Sequence, residues 1–296
     1  MEILQSRTSG SKRTDLWKFP SLDFEEAKNI QSGISALYNN EVNGYLVKNF
    51  LTQDEVEHAL KNIKLLDTSA KGDFSENAGY SNPKSFSMLA DENGINNTLL
   101  EKYFSDIANY KSLEKSIFPF GFEERLFDFI SKFENNTSVI TPVIEWENES
   151  RQFTSSTVRV CFSECGGMKT HVGNMFRTIY PKFYSFLDTL MQIDGQISYF
   201  VMLSKPEKGG ELVLYNALWK EYVMANSDYI TKVNGEQVLI DSLDFQLIDP
   251  KPGDLILFNG GDIWHRINNL TGAIDRITVG GFFAKTTDGK KIYGWA

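Results

Sequence analysis

The sequence contains no apolar run long enough to cross a membrane, and its first residues lack the apolar core of a signal peptide. These two absences predict a cytoplasmic protein with no membrane partner. The chain has 296 residues, of which 41% are hydrophobic and 23% are charged, as is typical of a globular protein with a sizeable core.

Positive charge is also scarce, and the formal net charge is −9. Lys and Arg form no cluster larger than a short pair, which argues against a nucleic-acid partner. Because like charges slow encounter, an acidic carrier protein is not expected as a partner either. The two cysteines, Cys161 and Cys165, have no second pair, so we interpret them as reduced thiols rather than zinc ligands.

The first half of the chain is dominated by helical patterns. Residues 22–38, 51–66, 97–116 and 122–133 show them, and the second of these begins with Thr52 and Glu55 at the spacing of a capping box. His58 falls off the apolar face of that helix and is predicted to lie on the surface. Residues 68–96 are rich in Ser, Gly, Asn and Asp, which predicts a long loop that covers a site as a lid.

From about residue 139 the pattern changes to short β-rich runs separated by turns, with a helical segment near residues 181–192. Many short strands with spaced turns favour a sandwich, a jelly roll or a barrel. We therefore predict a mostly β protein with flanking helices. Residues 1–138 would form a helical N-terminal portion packed on a β core of residues 139–296, in one compact unit.

The other two histidines, His171 and His265, lie in the predicted β core, and Arg276 follows His265 by eleven residues. A turn between them would place His265 and Arg276 on neighbouring antiparallel strands, with both side chains toward one interior. Two neutral imidazoles suit a divalent transition metal, and a buried arginine suits a carboxylate. Together they indicate a metal site with a dicarboxylate co-substrate.

These residues resemble those of the Fe(II)/2-oxoglutarate-dependent oxygenases, whose core is a double-stranded β-helix (a cupin-like jelly roll). The resemblance depends on His171, His265, Arg276 and the segments KGGELVLYN (208–216) and KPGDLILF (251–258). It implies that the two histidines bind Fe(II), that Arg276 binds the distal carboxylate of 2-oxoglutarate, and that O2 is a co-substrate.

The departure from the oxygenase pattern is Gly173, which stands where those enzymes carry the Asp or Glu ligand. Glycine leaves a coordination position open, and a chloride or bromide ion would occupy it and restore the missing charge. The sequence thus resembles the iron/2-oxoglutarate aliphatic halogenases, most of all the free-standing type of cyanobacterial indole alkaloid (welwitindolinone and ambiguine) biosynthesis. This resemblance implies radical halogenation of an unactivated sp3 carbon in a free small molecule, such as an indole alkaloid.

Strand alternation adds two candidates. If the face of Thr157, Arg159 and Cys161 looks inward, Arg159 would hold a carboxylate or stabilise the halide region, and otherwise it is a solvent-facing charge. If the face of Gln196 and Ser198 looks inward, Ser198 would donate a hydrogen bond to an oxygen ligand of the iron. Candidate substrate-lining residues flank the first motif, namely Met168, Val172 and Phe176.

Three alternatives remain open at this point. Asp262, Glu164 or Glu211 could supply a carboxylate ligand in place of the residue missing at position 173. The protein could be a hydroxylase or oxidase of the same fold, in which case product formation would not depend on halide. It could also be a non-catalytic cupin-like binding protein, which would have no need of Arg276.

Overall fold

The computed structural model describes residues 18–64, 72–73, 79–84, 97–146, 148–163, 166–179, 181–189, 191–192, 195–219, 222–225, 228–233 and 236–296. Most of the predicted lid loop 68–96, and both Glu164 and Cys165, lie outside the described residues. The helices are α1 (Phe24–Ala27), α2 (Gly33–Tyr38), α3 (Gln53–Ile63), α4 (Asn97–Ile117), α5 (Phe122–Phe133), α6 (Gly173–Ile179) and α7 (Pro181–Asp188).

The strands are β1 (Ser21–Asp23), β2 (Gly44–Lys48), β3 (Gly72–Asp73), β4 (Gly79–Asn82), β5 (Ser138–Ile140), β6 (Val143–Trp146), β7 (Glu149–Gln152), β8 (Thr157–Cys161), β9 (Ile197–Ser204), β10 (Leu212–Leu218), β11 (Tyr222–Ala225), β12 (Asp228–Val233), β13 (Glu236–Leu239), β14 (Phe245–Ile248), β15 (Leu255–Phe258), β16 (Ile263–Ile267), β17 (Arg276–Lys285) and β18 (Lys291–Trp295).

Two sheets form the core. The main sheet runs in the order β1-β2-β15-β9-β17-β8-β4-β3, with β18 joined to β17 and β5, and the second sheet runs β14-β10-β16. Buried apolar side chains from both sheets meet in one cluster, which includes Leu46, Phe200 and Ile256 of the main sheet and Leu214 and Ile263 of the second. The strands thus form the face-to-face layers expected of a jelly roll.

The other face of the main sheet is covered by helices. Side chains of α2, α3, α4 and α5 bury an aromatic-rich cluster against β8, β9, β15 and β17. The predicted capping box of α3 is present, since Glu55 N donates to Thr52 Oγ1 at 3.3 Å and Thr52 N donates to Glu55 Oε2 at 2.9 Å. His58 is exposed, as predicted, and its Nε2 lies 2.9 Å from the carbonyl oxygen of Ser116.

The prediction of a helical N-terminal portion is wrong. The part before residue 139 contains helices, but β1 to β4 extend the main sheet, and β5 begins at Ser138. The predicted helix 22–38 is also broken, because Ser32 takes a positive φ of 63° between α1 and α2. Three-residue strands such as β1 are too short to leave a period-2 signal, which is why the sequence showed only the helices. No helix in the described part of the chain is long and apolar enough to cross a bilayer.

Candidate active site

A cavity lies between the two sheets. Its wall takes residues from β8, β9, β15, β16 and β17 and from the segment that leads into α6. Eight residues singled out from the sequence line it, namely Arg159, Met168, His171, Gly173, Phe176, Ser198, His265 and Arg276.

The two histidines are brought together by a backbone bridge. His171 N donates to the carbonyl of His265, and His265 N donates to that of His171, both at 2.9 Å. The ring centroids are 4.2 Å apart. This short bridge ties the segment before α6 to β16, so the two rings hold a fixed separation.

Both rings present the same nitrogen to the cavity. His171 Nδ1 donates to the carbonyl of Lys169 at 2.7 Å, and His265 Nδ1 donates to that of Ile263 at 2.8 Å. A carbonyl oxygen can only accept, so Nδ1 carries the proton and Nε2 keeps its lone pair. Burial lowers the pKa of both histidines, which favours the neutral form that binds metals.

Arg276 faces the histidines from the opposite sheet. His265 pairs with Leu214 in the second sheet, whereas Arg276 pairs with Cys161 in the main sheet. The prediction that His265 and Arg276 lie on neighbouring antiparallel strands is therefore wrong. The connection between them crosses from one sheet to the other, a path that the same loop length allows, and both side chains still reach one cavity.

Arg276 is a buried cation with spare hydrogen-bonding capacity. It is 4% exposed, its Nε donates to the carbonyl of Gly210 at 2.9 Å, and its guanidinium lies 5.0 Å from the centre of the Phe200 ring. Its Nη2 is buried and has no partner among the described residues. Since a buried guanidinium without an anion is costly, this site fits a ligand carboxylate.

Gly173 begins α6, and its N–H donates to the carbonyl of Gly260 at 2.8 Å. A Cβ at this position would lie 3.1 Å from Gln196 Nε2, from the Gly260 carbonyl oxygen and from Gly261 Cα. Such distances are tighter than ordinary van der Waals contact, so a side chain here would push its neighbours aside. The position is shaped for a residue without a side chain.

No carboxylate replaces the missing ligand within the described ranges, where no group of three His, Cys, Asp or Glu side chains could hold a metal. Glu211 is engaged elsewhere, since its Oε2 accepts a hydrogen bond from Asn268 Nδ2 at 2.9 Å. The same finding excludes Asp262 as the third member of a site with the two histidines. Glu164 lies outside the described residues.

Arg159 and Ser198 both line the cavity. Arg159 Nε donates to Thr157 Oγ1 at 3.3 Å, and its guanidinium lies 5.6 Å from the centre of the Phe282 ring. Burial lowers the pKa of the Arg159 guanidinium, and its charge in turn helps to lower the pKa of His171. The arginine is therefore within electrostatic reach of the histidine pair.

Only two of the three candidate substrate-lining residues lie in the described cavity wall. Met168 and Phe176 line the cavity, and the Phe176 ring lies 6.2 Å from that of His171. Val172 is not in the described cavity wall. It is fully buried with Met175 and Trp264, because the residue between His171 and Gly173 points to the other side of the backbone.

Sequence reasoning missed several wall residues. Thr278 and Phe282 follow Arg276 at even spacing along β17, so strand alternation from Arg276 would have found them. Phe258 precedes the Gly-Gly turn, and its ring lies 4.9 Å from that of His265. Tyr184 comes from α7, and no local sequence signal places that helix beside the cavity.

Comparisons with known proteins agree with this geometry. The family model described as carrier-protein-independent halogenase WelO5 matches residues 16–296. The fold is similar to that of an N-substituted L-amino acid dioxygenase from Burkholderia ambifaria AMMD. The structure of that enzyme in complex with alpha-KG matches this chain with a TM-score of 0.52 and 15% sequence identity. The match covers 88% of this chain and 90% of that chain. A second structure of that dioxygenase gives a TM-score of 0.51 and 14% identity with the same coverage. No curated protein matches the sequence.

Proposed function

The chain belongs to the carrier-protein-independent halogenase family WelO5, and from this premise we propose how its residues carry out halogenation. The protein is a non-haem iron halogenase that depends on Fe(II), 2-oxoglutarate, O2 and a halide. It acts on free small molecules and needs no carrier protein. A non-catalytic binding role is thereby excluded.

His171 and His265 hold the iron through their Nε2 atoms in this proposal, and Gly173 leaves the third protein position to chloride or bromide. The observation that carries it is the paired histidine rings, 4.2 Å apart, beside a glycine and with no third ligand among the described side chains. The halide would restore the negative charge that Asp or Glu supplies in the oxygenases.

Arg276 binds the distal carboxylate of 2-oxoglutarate, which its unpartnered Nη2 supports. Arg159 adds a second positive charge on the cofactor side of the cavity, close enough to affect His171. Ser198 belongs to β9, lies beside Gly260 and lines the cavity, where its hydroxyl would donate a hydrogen bond toward the iron site.

The substrate is a hydrophobic small molecule, and a natural product such as an indole alkaloid suits the cavity. Phe176, Phe282 and Met168 give its wall an apolar and aromatic part. Once bound, iron with 2-oxoglutarate and O2 would supply the oxidising power needed to activate an sp3 C–H bond of the substrate. The cavity wall must then hold that carbon nearer to the halide than to oxygen, so that halogen is transferred.

A test of this proposal needs no substrate. Under anaerobic conditions Fe(II) and then 2-oxoglutarate are added to the protein, and the visible charge-transfer band of the chelate is recorded with and without chloride. A band that shifts with chloride supports a halide on iron. A band indifferent to chloride contradicts the halide site and favours a hydroxylase, and no band at all would remove the two histidines and Arg276 from the site.

A further inference from the structure

Gln196 lies against the part of the cavity that adjoins Gly173. It is 3% exposed and lines the cavity, and its carbonyl accepts a hydrogen bond from Gly261 N at 2.9 Å. Its Nε2 is 3.1 Å from the position that a Cβ on residue 173 would take. The side-chain amide of Gln196 thus lies in the cavity wall next to Gly173.

The backbone donors around the same space are already used. Gly173 N donates to Gly260 O, Asn174 N to Gly261 O, Gly261 N to Gln196 O and Gly260 N to Phe258 O, at distances from 2.7 to 2.9 Å. A buried anion in this space needs a hydrogen-bond donor that these peptide groups cannot give. The side-chain amide of Gln196 has two N–H groups to offer.

We propose that the Gln196 side-chain amide donates a hydrogen bond to the halide and thereby sets both the affinity and the choice of halide. The inference rests on the proposed function, because it assumes that the halide replaces the ligand missing at Gly173. A hydrogen bond to the smaller and more charge-dense chloride is the stronger one, so this contact favours chloride over bromide.

The two glycines that follow β15 make this approach possible. A Cβ on Gly261 would lie 2.8 Å from the Gln196 carbonyl oxygen, and one on Gly260 would overlap the Ser198 hydroxyl. Without side chains, the turn packs directly on the segment that leads into β9. The Gln196 amide is thus held beside Gly173 by backbone packing.

The experiment measures halide binding rather than turnover. The anaerobic protein with Fe(II) and 2-oxoglutarate is titrated with chloride and, separately, with bromide, and the shift of the visible band gives each dissociation constant. Gln196→Leu removes the donors at similar volume, and Gln196→Asn keeps the amide on a shorter side chain. Gln246→Leu is the matched control, because Gln246 is 1% exposed but does not line the cavity.

We expect Gln196→Leu to weaken chloride binding by about 10-fold or more, the usual effect of losing one hydrogen bond to a charged group. Bromide binding should weaken less, so the chloride preference falls. The chloride affinity of Gln196→Asn should lie between those of the unmodified protein and Gln196→Leu. Gln246→Leu should bind both ions as the unmodified protein does.

Each failure has its own signature. If the unmodified protein shows no response to either halide, the halide site itself is wrong. If it responds but Gln196→Leu keeps the same chloride affinity and the same preference, the role of Gln196 is overturned while the halide site stands. If Gln196→Leu does not fold, Gln196→Glu replaces it. This variant has the same shape but adds a negative charge, so it should lose the chloride response while retaining the band, and a retained response would overturn the inference.

Discussion

The two faces of the main sheet carry opposite chemistry on the same strands. Val158 and Val160 of β8 pack under the helices, whereas Arg159 between them faces the cavity. On β17, Val279 lies in the helix-covered core, and Arg276 lines the site. Period-2 alternation therefore separates a stabilising face from a functional one within each strand.

The faces differ in how completely their polar groups are satisfied. Under the helices, Glu134 accepts hydrogen bonds from Ser35 and pairs with Lys285, so the charge of this carboxylate is matched. On the cavity side, Arg276 Nη2 is buried and has no partner among the described residues. Unsatisfied buried groups cost stability, and they persist where a ligand will satisfy them.

The largest effect should come from filling the open ligand position. Gly173→Asp supplies the missing carboxylate, so we expect no halogenated product and hydroxylated product in its place, measured by mass spectrometry with an accepted substrate. Substantial chlorination by this variant would contradict the vacancy argument.

Gly173→Ala is the matched control for that change. Its Cβ crowds the same space, 3.1 Å from three neighbouring atoms, without adding a ligand. We expect it to lose halogenation without a gain in hydroxylation.

A truncating substitution in the helix-covered core should lower stability without affecting the site. The centroid of the Phe133 ring lies 4.9 Å from that of Tyr45 and 5.2 Å from that of Phe129, and the ring fills the space beside Gly33. Phe133→Ala should lower the free energy of unfolding by about 3–5 kcal/mol in denaturant titrations. The 2-oxoglutarate band of the folded protein should not change, and a changed band would show that the two faces are coupled.

The site was more predictable from the sequence than its scaffold. His171, Gly173, His265 and Arg276 stand in local motifs, so their place in one cavity was predictable from residue type and order. The strand pairing was not, because an eleven-residue separation is compatible with a hairpin and with a crossing between sheets. Only the long-range contacts decide between the two.

Face assignments had a similar limit. Alternation grouped Arg159 with Thr157 and Cys161, and Ser198 with Gln196, but it left open which face looks inward. It could not be applied to Val172, which lies between a one-residue bridge and a helix. The short strands before residue 139 were not predicted for a related reason. They form because they pair with neighbouring strands, and their own residues show no clear strand pattern. Sequence periodicity is informative only where an element spans several repeats.

Removing the unsatisfied cation from the cavity face should affect binding rather than folding. Arg276→Ala should weaken 2-oxoglutarate binding by about 2–3 kcal/mol, or roughly 30- to 150-fold, as expected for a charge-assisted contact. The anaerobic band titrated with 2-oxoglutarate measures this loss. Arg266→Ala is the control, because Arg266 bonds to Tyr215 at 2.7 Å outside the cavity wall, and equal affinity in both variants would remove Arg276 from the site.

The smallest expected effect tests the matched charges beneath the helices. Lys285 Nζ lies 2.8 Å from Glu134 Oε1. Burial alone would raise the pKa of Glu134, but hydrogen bonds from Lys285 and Ser35 outweigh it and hold the pKa below its usual value. Glu134→Gln keeps the shape but removes the charge, so we expect a loss of about 1–3 kcal/mol in the free energy of unfolding near pH 7.

The sign of its pH dependence follows from the lowered pKa. The contribution of a carboxyl with a depressed folded-state pKa is fully present above the unfolded-state value, about 4.5, and is lost as pH falls through the folded-state value. Denaturant titrations should therefore show a constant gap between Glu134→Gln and the unmodified protein from pH 6 to 8, and a shrinking gap below about pH 4.5. A gap that is independent of pH would mean that the loss in Glu134→Gln does not come from the charge of the Glu134 carboxylate. Halide and 2-oxoglutarate binding near pH 7 should be the same in both proteins, because this pair lies on the face of the sheet that does not form the site.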